Sequence, residues 1–203
     1  MRIVLATRNQ GKIGELRRIL EGAFEVVGLE EFPDAPEVAE TELTFEGNAL
    51  LKATAIAAHT GLPAISDDSG LCVDALNGMP GIFSARWSGR FGDATGDKDR
   101  ANVDLVLDQL ADVAEGARGA HFLCVAALVT PGGARLTVEG RMYGRIIDGP
   151  RGSGGFGYDP IFVPDGETRT SAELSPEEKS AISHRGKAFR ELRDRLPEIS
   201  LMS

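Results

Sequence analysis

Two long stretches rich in β-branched and apolar residues, 121–130 and 135–147, meet at Pro131-Gly132-Gly133. A proline and two glycines between such runs signal a hairpin, and a hairpin of that length commits the chain to a sheet with one antiparallel pair. Around it, apolar residues switch between strand and helix spacing. Residues 2–6 predict a buried strand and 12–20 a helix with Ile13, Leu16, Ile19 and Leu20 on one face, followed by a strand over 24–27. Thr44 is placed to cap a helix reaching His59, with Ala49, Leu50, Ala53, Ile56 and Ala57 facing inward. A strand is expected over 62–65, a helix over 97–110 through Val103, Val106, Leu107 and Leu110, and a short strand over 161–163. Ser175-Pro176-Glu177-Glu178 opens another helix, and Phe189, Leu192 and Leu196 recur at helical spacing near the end. Strand–helix alternation implies parallel pairing, so with the hairpin the predicted fold is α/β with a mixed sheet. Neither an internal repeat nor a linker interrupts it.

The 203 residues suffice for one substantial core. A net charge of −9 argues against non-specific binding to a nucleic acid polymer or an anionic membrane surface. It leaves room for a small anionic ligand, because a few clustered lysines override the global field. Cys72 and Cys124 stand alone in apolar stretches and predict buried, reduced thiols. The run Ile3-Val4-Leu5-Ala6 is too short for a signal-peptide core, and no segment nears the ~18 apolar residues of a membrane span. The expectation is a soluble, cytoplasmic protein.

Chemistry concentrates at Ile65-Ser66-Asp67-Asp68-Ser69-Gly70-Leu71. The two carboxylates are expected at the C-terminal end of the 62–65 strand, with Gly70 marking a change of direction. Adjacent carboxylates repel, and become useful when a divalent cation lies between them and a phosphate oxygen. Asp-Asp-Ser-Gly is also plain turn chemistry. The loop 7–12 joins a strand to a helix; its small polar residues, its lysine and the helix N-terminus suit a phosphate, although the Walker spacing is absent. Residues 152–160, Gly-Ser-Gly-Gly-Phe-Gly-Tyr-Asp-Pro, suit a backbone packed against a flat ligand, with Phe156 available to stack; a crossover loop is the simpler alternative. Lys179, His184 and Arg185 sit in a polar stretch that reads, by itself, as a solvated helix face.

Taken in order, residues 7–12, Asp67-Asp68-Ser69-Gly70, Ser84-Ala85-Arg86, residues 154–160 and residues 178–185 resemble the inosine triphosphate pyrophosphatase family. The likeness runs from Val4 to about Phe189. It implies a long mixed sheet flanked by helices, two lobes of one domain over 1–203 with a cleft between them, and a homodimer. It implies Mg²⁺-dependent hydrolysis of ITP, dITP and XTP to the monophosphate and pyrophosphate. Residue by residue, Thr7, Asn9, Lys12 and Lys52 would bind the triphosphate. Asp68 would be the catalytic carboxylate and a metal ligand, with Glu40 as the second ligand, and Ser69 would contact substrate. Phe156, Gly157, Tyr158 and Asp159 would line the nucleoside pocket, with Lys179, His184 and Arg185 on its other side. Asp67 would support its neighbour.

Arg8 stands where the family usually has a small residue, and Glu42 competes with Glu40 for the metal role. Two other functions are compatible with parts of the pattern: a Maf-like pyrophosphatase of different base specificity, and a nucleotide-binding protein without turnover. The Ser183-His184-Arg185 element argues against the first, and the presence of Asp68 together with Glu40 against the second.

Overall fold

A computed structural model of the chain describes residues 2–20 and 25–200. Its strands are β1 (Arg2–Leu5), β2 (Glu25–Val27), β3 (Ala64–Val73), β4 (Gly119–Val129), β5 (Arg135–Ile146) and β6 (Phe162–Pro164). Its α-helices are α1 (Gln10–Leu20), α2 (Phe45–Thr60), α3 (Gly89–Thr95), α4 (Lys98–Gln109), α5 (Pro176–Ile182) and α6 (His184–Ser200). The strands form one sheet in the order β2-β1-β3-β4-β5-β6. β1 pairs parallel with β2 and β3, and β5 pairs antiparallel with β6, so the sheet is mixed, as the alternation of elements predicts. Phe24, expected to open the second strand, lies outside the described residues.

Local chemistry sets the helix ends. Thr44 accepts from the Gly47 N–H at 3.0 Å, and Gly61 closes α2 in the left-handed region at φ 68°. Asp97 caps α4 through the Arg100 N–H, and Ser175 with Glu178 forms a reciprocal capping box on α5. The stretch from Asp74 to Thr95 holds α3 and two short 3-10 helices, Asp74–Leu76 and Gly81–Arg86. One expectation is corrected. The strand expected over 62–65 instead runs through both carboxylates and Gly70 to Val73, so Asp67 and Asp68 are mid-strand and the turn reading fails. β3 lies third in the sheet with β4 beside it, and ladder pairing there overrides the poor strand propensity of Asp, Ser and Gly.

The chain divides into two compact units. The first comprises Met1–Asp68, Cys124–Gly140 and His184–Ser203, and the second Ser69–Leu123 and Arg141–Ser183. In the first, the strands sort their residues by the two-residue pleat. Ile3, Leu5, Ile65, Cys124, Ala126 and Leu128 join Leu16 and Leu20 of α1 and Phe189, Leu192 and Leu196 of α6 in one cluster. Val4, Ala64, Ala127 and Val129 join Ala49, Ala53, Ile56 and Ala57 of α2 in another. α1 and α6 thus cover one face and α2 the other. In the second unit, Leu71, Val73, Phe122, Met142, Ile146 and Phe162 pack with Val103 and Val106 of α4, with Leu110 that caps it, and with Tyr158.

Phe189 is among the largest fully buried side chains. Phe189→Ala should cost about 3–5 kcal/mol of unfolding free energy, the range for emptying an aromatic site in a core. Urea denaturation of the variant beside the parent measures it, and a loss below ~1 kcal/mol would mean that α6 is loosely packed.

Candidate active site

The pleat that sorts the core also separates the two carboxylates. Asp67 follows Ile65 toward α1 and α6; Asp68 follows Ala64 and Ser66 toward α2, where the Ser66 hydroxyl donates to the Ala49 carbonyl. The two are neighbours in sequence and occupy opposite faces. Of the two, Asp68 lies on the face where Lys52 of α2 bonds Glu40. β1 ends at Leu5, whose register partner in β3 is Ile65, so both aspartates lie just past the end of the parallel pair. Open parallel sheets bind ligands at such strand ends.

On the α2 face, Asp68 Oδ2 accepts from Asn48 Nδ2 at 3.0 Å. Asn48 is fully buried and its Oδ1 accepts from the Glu42 N–H at 3.0 Å, so one amide ties the acidic loop to the carboxylate. One turn further along α2, Lys52 Nζ donates to Glu40 Oε1 at 2.6 Å. Burial pushes the Asp68 carboxyl up and the charge of Glu40 adds to the rise, while Lys52, the Asn48 hydrogen bond and Lys12 oppose it. Burial would lower Lys52, but Asp67, Glu40 and Asp68 outweigh it and hold the ammonium above its ordinary value. Glu40 therefore shares the field of Asp68, whereas Glu42 is exposed and contributes its backbone to Asn48.

On the other face, Lys12 Nζ lies 2.8 Å from Asp67 Oδ2, and Arg185 Nε lies 3.5 Å from the same oxygen. Cys124 Sγ is 3.8 Å from it. Burial alone would raise Asp67, but Lys12, Arg185 and Lys52 prevail and hold its carboxyl well below the usual carboxylate range. Its Oδ1 is buried without a hydrogen-bond partner among the described residues. Arg185 arrives here because Gly140 of β5 admits the first turn of α6: a Cβ at residue 140 would sit 2.1 Å from the His184 carbonyl oxygen. His184 and Arg185 are both buried, which overturns the solvated-face reading. The preceding loop is locally organised. Thr7 Oγ1 accepts from the Asn9 N–H, and Asn9 Oδ1 caps α1 by accepting from the Lys12 N–H, both at 3.2 Å. Arg8 donates from Nη2 to the Ala35 carbonyl at 2.9 Å.

The second unit holds the remaining candidates. Ser69 is half-buried in β3, directly after Asp68. Asp159 is buried; its Oδ2 accepts from the Phe156 N–H at 2.8 Å and from Lys179 Nζ of α5. Lys179 also stands 5.1 Å from the centroid of the Phe156 ring, which is 40 % exposed. Gly155 is required twice, by φ 72° and because a Cβ would lie 2.1 Å from Asp159 Oδ2. The Gly157 N–H donates to Asp99 at 2.8 Å. Tyr158 is a core residue whose hydroxyl donates to the Ser84 carbonyl at 2.9 Å, and burial pushes its phenol well up. The Ser84 hydroxyl in turn donates to the Gly81 carbonyl and accepts from the Leu71 N–H, so the Ser84-Ala85-Arg86 motif ties the glycine loop to β3.

Sequence reasoning missed Asn48. Its signal was present: an amide four residues before Lys52, next to the alanines of a buried helix face.

Acidic and cationic side chains thus gather at the end of a parallel strand pair of an α/β sheet. The chain belongs to the Ham1 family, whose model matches residues 3–195. It is 62% identical over 94% of both chains to a Streptomyces avermitilis protein named dITP/XTP pyrophosphatase, and 51% identical over 96% of both to one of that name from Geobacter sulfurreducens. Among solved structures, a HAM1 protein from Coxiella burnetii covers 98% of this chain and 99% of its own at 42% identity and TM-score 0.87. A nucleoside-triphosphatase from Mycobacterium abscessus, also named dITP/XTP pyrophosphatase, covers 95% and 98% at 53% identity and TM-score 0.77. The resemblance drawn from motif order is borne out.

Asn48→Ala deletes a hydrogen bond to the Asp68 carboxylate and leaves the Glu42 N–H without its acceptor. A stability loss of about 1.5–3 kcal/mol is expected, the range for a hydrogen bond to a charged group. Thermal and denaturant unfolding check it; an unchanged midpoint would show that water replaces the amide without cost.

Proposed function

We propose that the protein hydrolyses non-standard purine nucleoside triphosphates, ITP, dITP and XTP, to the nucleoside monophosphate and pyrophosphate. The observation that carries this reading is identity of 62% along nearly the whole length of a dITP/XTP pyrophosphatase. The Asp68 site supports it chemically. Release of pyrophosphate requires water to attack the α-phosphorus while the β,γ-diphosphate departs, so the protein must orient a water and offset a polyanion. Asp68 is the base in this reading: burial and Glu40 raise its proton affinity toward that of a working general base. Lys12 and Lys52 offset phosphate charge, and Thr7 and Asn9 shape the loop that receives it.

Glu40 and Asp68 fit a hard divalent cation, since each is an oxygen donor and the charge of Glu40 already works against ionisation of Asp68. Among the described residues no trio of His, Cys, Asp and Glu converges as a metal cage. Mg²⁺ matches such a sparse set, because it is commonly held by one or two carboxylates plus substrate phosphates. Bound there, Mg²⁺ would supply charge neutralisation at the phosphate oxygens.

In the second unit, Phe156, Gly157, Tyr158 and Asp159 with Lys179 are assigned to the nucleoside: Phe156 to stack, Tyr158 and Asp159 to hold the loop's shape. Ser69 contacts substrate, and His184 and Arg185 favour a keto purine, since arginine only donates and position 6 of hypoxanthine or xanthine only accepts. The 203 residues act as one domain, because β3, β4 and β5 each contribute residues to both units. A homodimer in the cytoplasm completes the reading. Cys72 and Cys124 are buried and form no disulfide, and among the described residues no helix is long and apolar enough to cross a membrane.

A nucleotide panel with resolved products tests the activity: dITP should give dIMP and pyrophosphate, whereas dIDP and phosphate would overturn the assigned bond cleavage. Asp68→Asn should lower kcat by at least ~100-fold, the low end for loss of a positioned base. Near-parental turnover would move the base elsewhere. Lys52→Met keeps the apolar stem and deletes the cation, so KM for dITP should rise; parental kinetics would make Lys52 a partner of Glu40 alone.

A further inference from the structure

We propose that Asp67 is a positioning residue for Lys12 and Arg185, a role distinct from that of its neighbour Asp68. This deepens the pyrophosphatase reading and rests on its assignment of Lys12 to phosphate.

The strand pleat turns Asp67 away from the α2 face that carries Asp68, Asn48 and the acidic loop. Its Oδ2 instead gathers two cations from opposite ends of the sequence, Lys12 on α1 at 2.8 Å and Arg185 on α6 at 3.5 Å. A lysine has four rotatable carbons, and freezing them as substrate arrives would weaken binding. Anchored on a side chain that is itself fully buried, the ammonium is oriented beforehand. Its remaining N–H donors stay available to an anion, since an ammonium has three. Lys12 also stands in the first turn of α1, beside the Asn9 cap, so its backbone and side chain are fixed together.

Two roles for Asp67 predict opposite results. As a mere neutraliser it would weaken attraction for the triphosphate, and deleting its charge would tighten binding. As a positioner, deleting it leaves half-buried Lys12 and buried Arg185 repelling each other and displaces Lys12, so binding weakens. Asp67→Asn, Lys12→Met and the double variant, assayed with dITP beside the parent, separate these roles. Asp67→Asn should raise KM roughly 10- to 100-fold, the scale of one charge-assisted hydrogen bond, with a smaller effect on kcat. The double variant should be no worse than Lys12→Met, because both substitutions remove one function. Multiplying effects, or a KM that is unchanged or lowered in Asp67→Asn, would overturn the proposal.

Binding of inorganic tripolyphosphate by calorimetry to the same four proteins repeats the comparison without turnover. A parent that binds tripolyphosphate but does not release pyrophosphate from dITP would defeat the pyrophosphatase reading and leave the positioning cycle to be decided on binding. Should Asp67→Asn fail to fold, the parent supplies the measurement. A ¹⁵N side-chain ammonium resonance absent from Lys12→Met should be sheltered from solvent exchange at neutral pH and should shift on adding tripolyphosphate. A Lys12 signal exchanging like that of an exposed lysine would overturn the proposal.

Discussion

The burial of Asp67 is the constraint around which the first unit is arranged. An ionised carboxylate removed from water without partners costs several kcal/mol, and more than packing nearby can return. Its two cations come from α1 and α6, helices that share one apolar cluster on that face of the sheet. The apolar contacts hold the helices together, and the ion pairs determine where along the sheet their first turns lie. Gly140 is part of the same arrangement, because the α6 backbone approaches β5 too closely for any larger residue. Hydrophobic burial supplies most of the stability here and the charges supply the register, a division suited to a region that must present polar groups at fixed points.

The α2 face solves a different problem. The charge of Glu40 adds to the cost of ionising Asp68, and Lys52, bonded to Glu40, is a countercharge to both. Asn48 holds Asp68 without neutralising it. A carboxylate so held keeps a higher proton affinity than Asp67, although the two are joined by one peptide bond. Environment separates their chemistry: Lys12, Arg185 and Lys52 prevail over burial at Asp67, whereas at Asp68 burial and the charge of Glu40 prevail over Lys52 and the Asn48 amide.

Much of the fold was legible because its signals are local. Caps at Thr44, Asp97 and Ser175 mark helix starts through side chains that satisfy backbone N–H groups within three residues. The Pro131-Gly132-Gly133 hairpin and the apolar periodicities of α1, α2, α4 and α6 need no distant partner to be read. The continuation of β3 through Ser66-Asp67-Asp68-Ser69-Gly70 was illegible for the opposite reason: its strand state comes from the ladder with its neighbours. α3, with glycines at both its first residue and residue 92, carries little periodicity to detect. In the candidate site, Asp68, Lys12, Glu40 and Lys52 entered through the family resemblance, whereas Asn48 did not: its spacing from Lys52 hints at it, but only its contact with Asp68 shows what it touches.

The sequence by itself determined which residues are chemically equipped: a carboxylate pair, lysines on two helices, a glycine-rich loop with one aromatic, and an order of motifs that identifies the family. Tertiary structure alone decided how they are deployed. It made Tyr158 a core residue bonded to Ser84, turned the glycine at 155 toward Asp159, and divided Asp67 from Asp68 across the sheet. The reason is geometric. Adjacent residues in a strand point to opposite faces, so nearness in sequence guarantees separation in space once pairing fixes the strand, and only the surrounding elements settle which charge each face supplies.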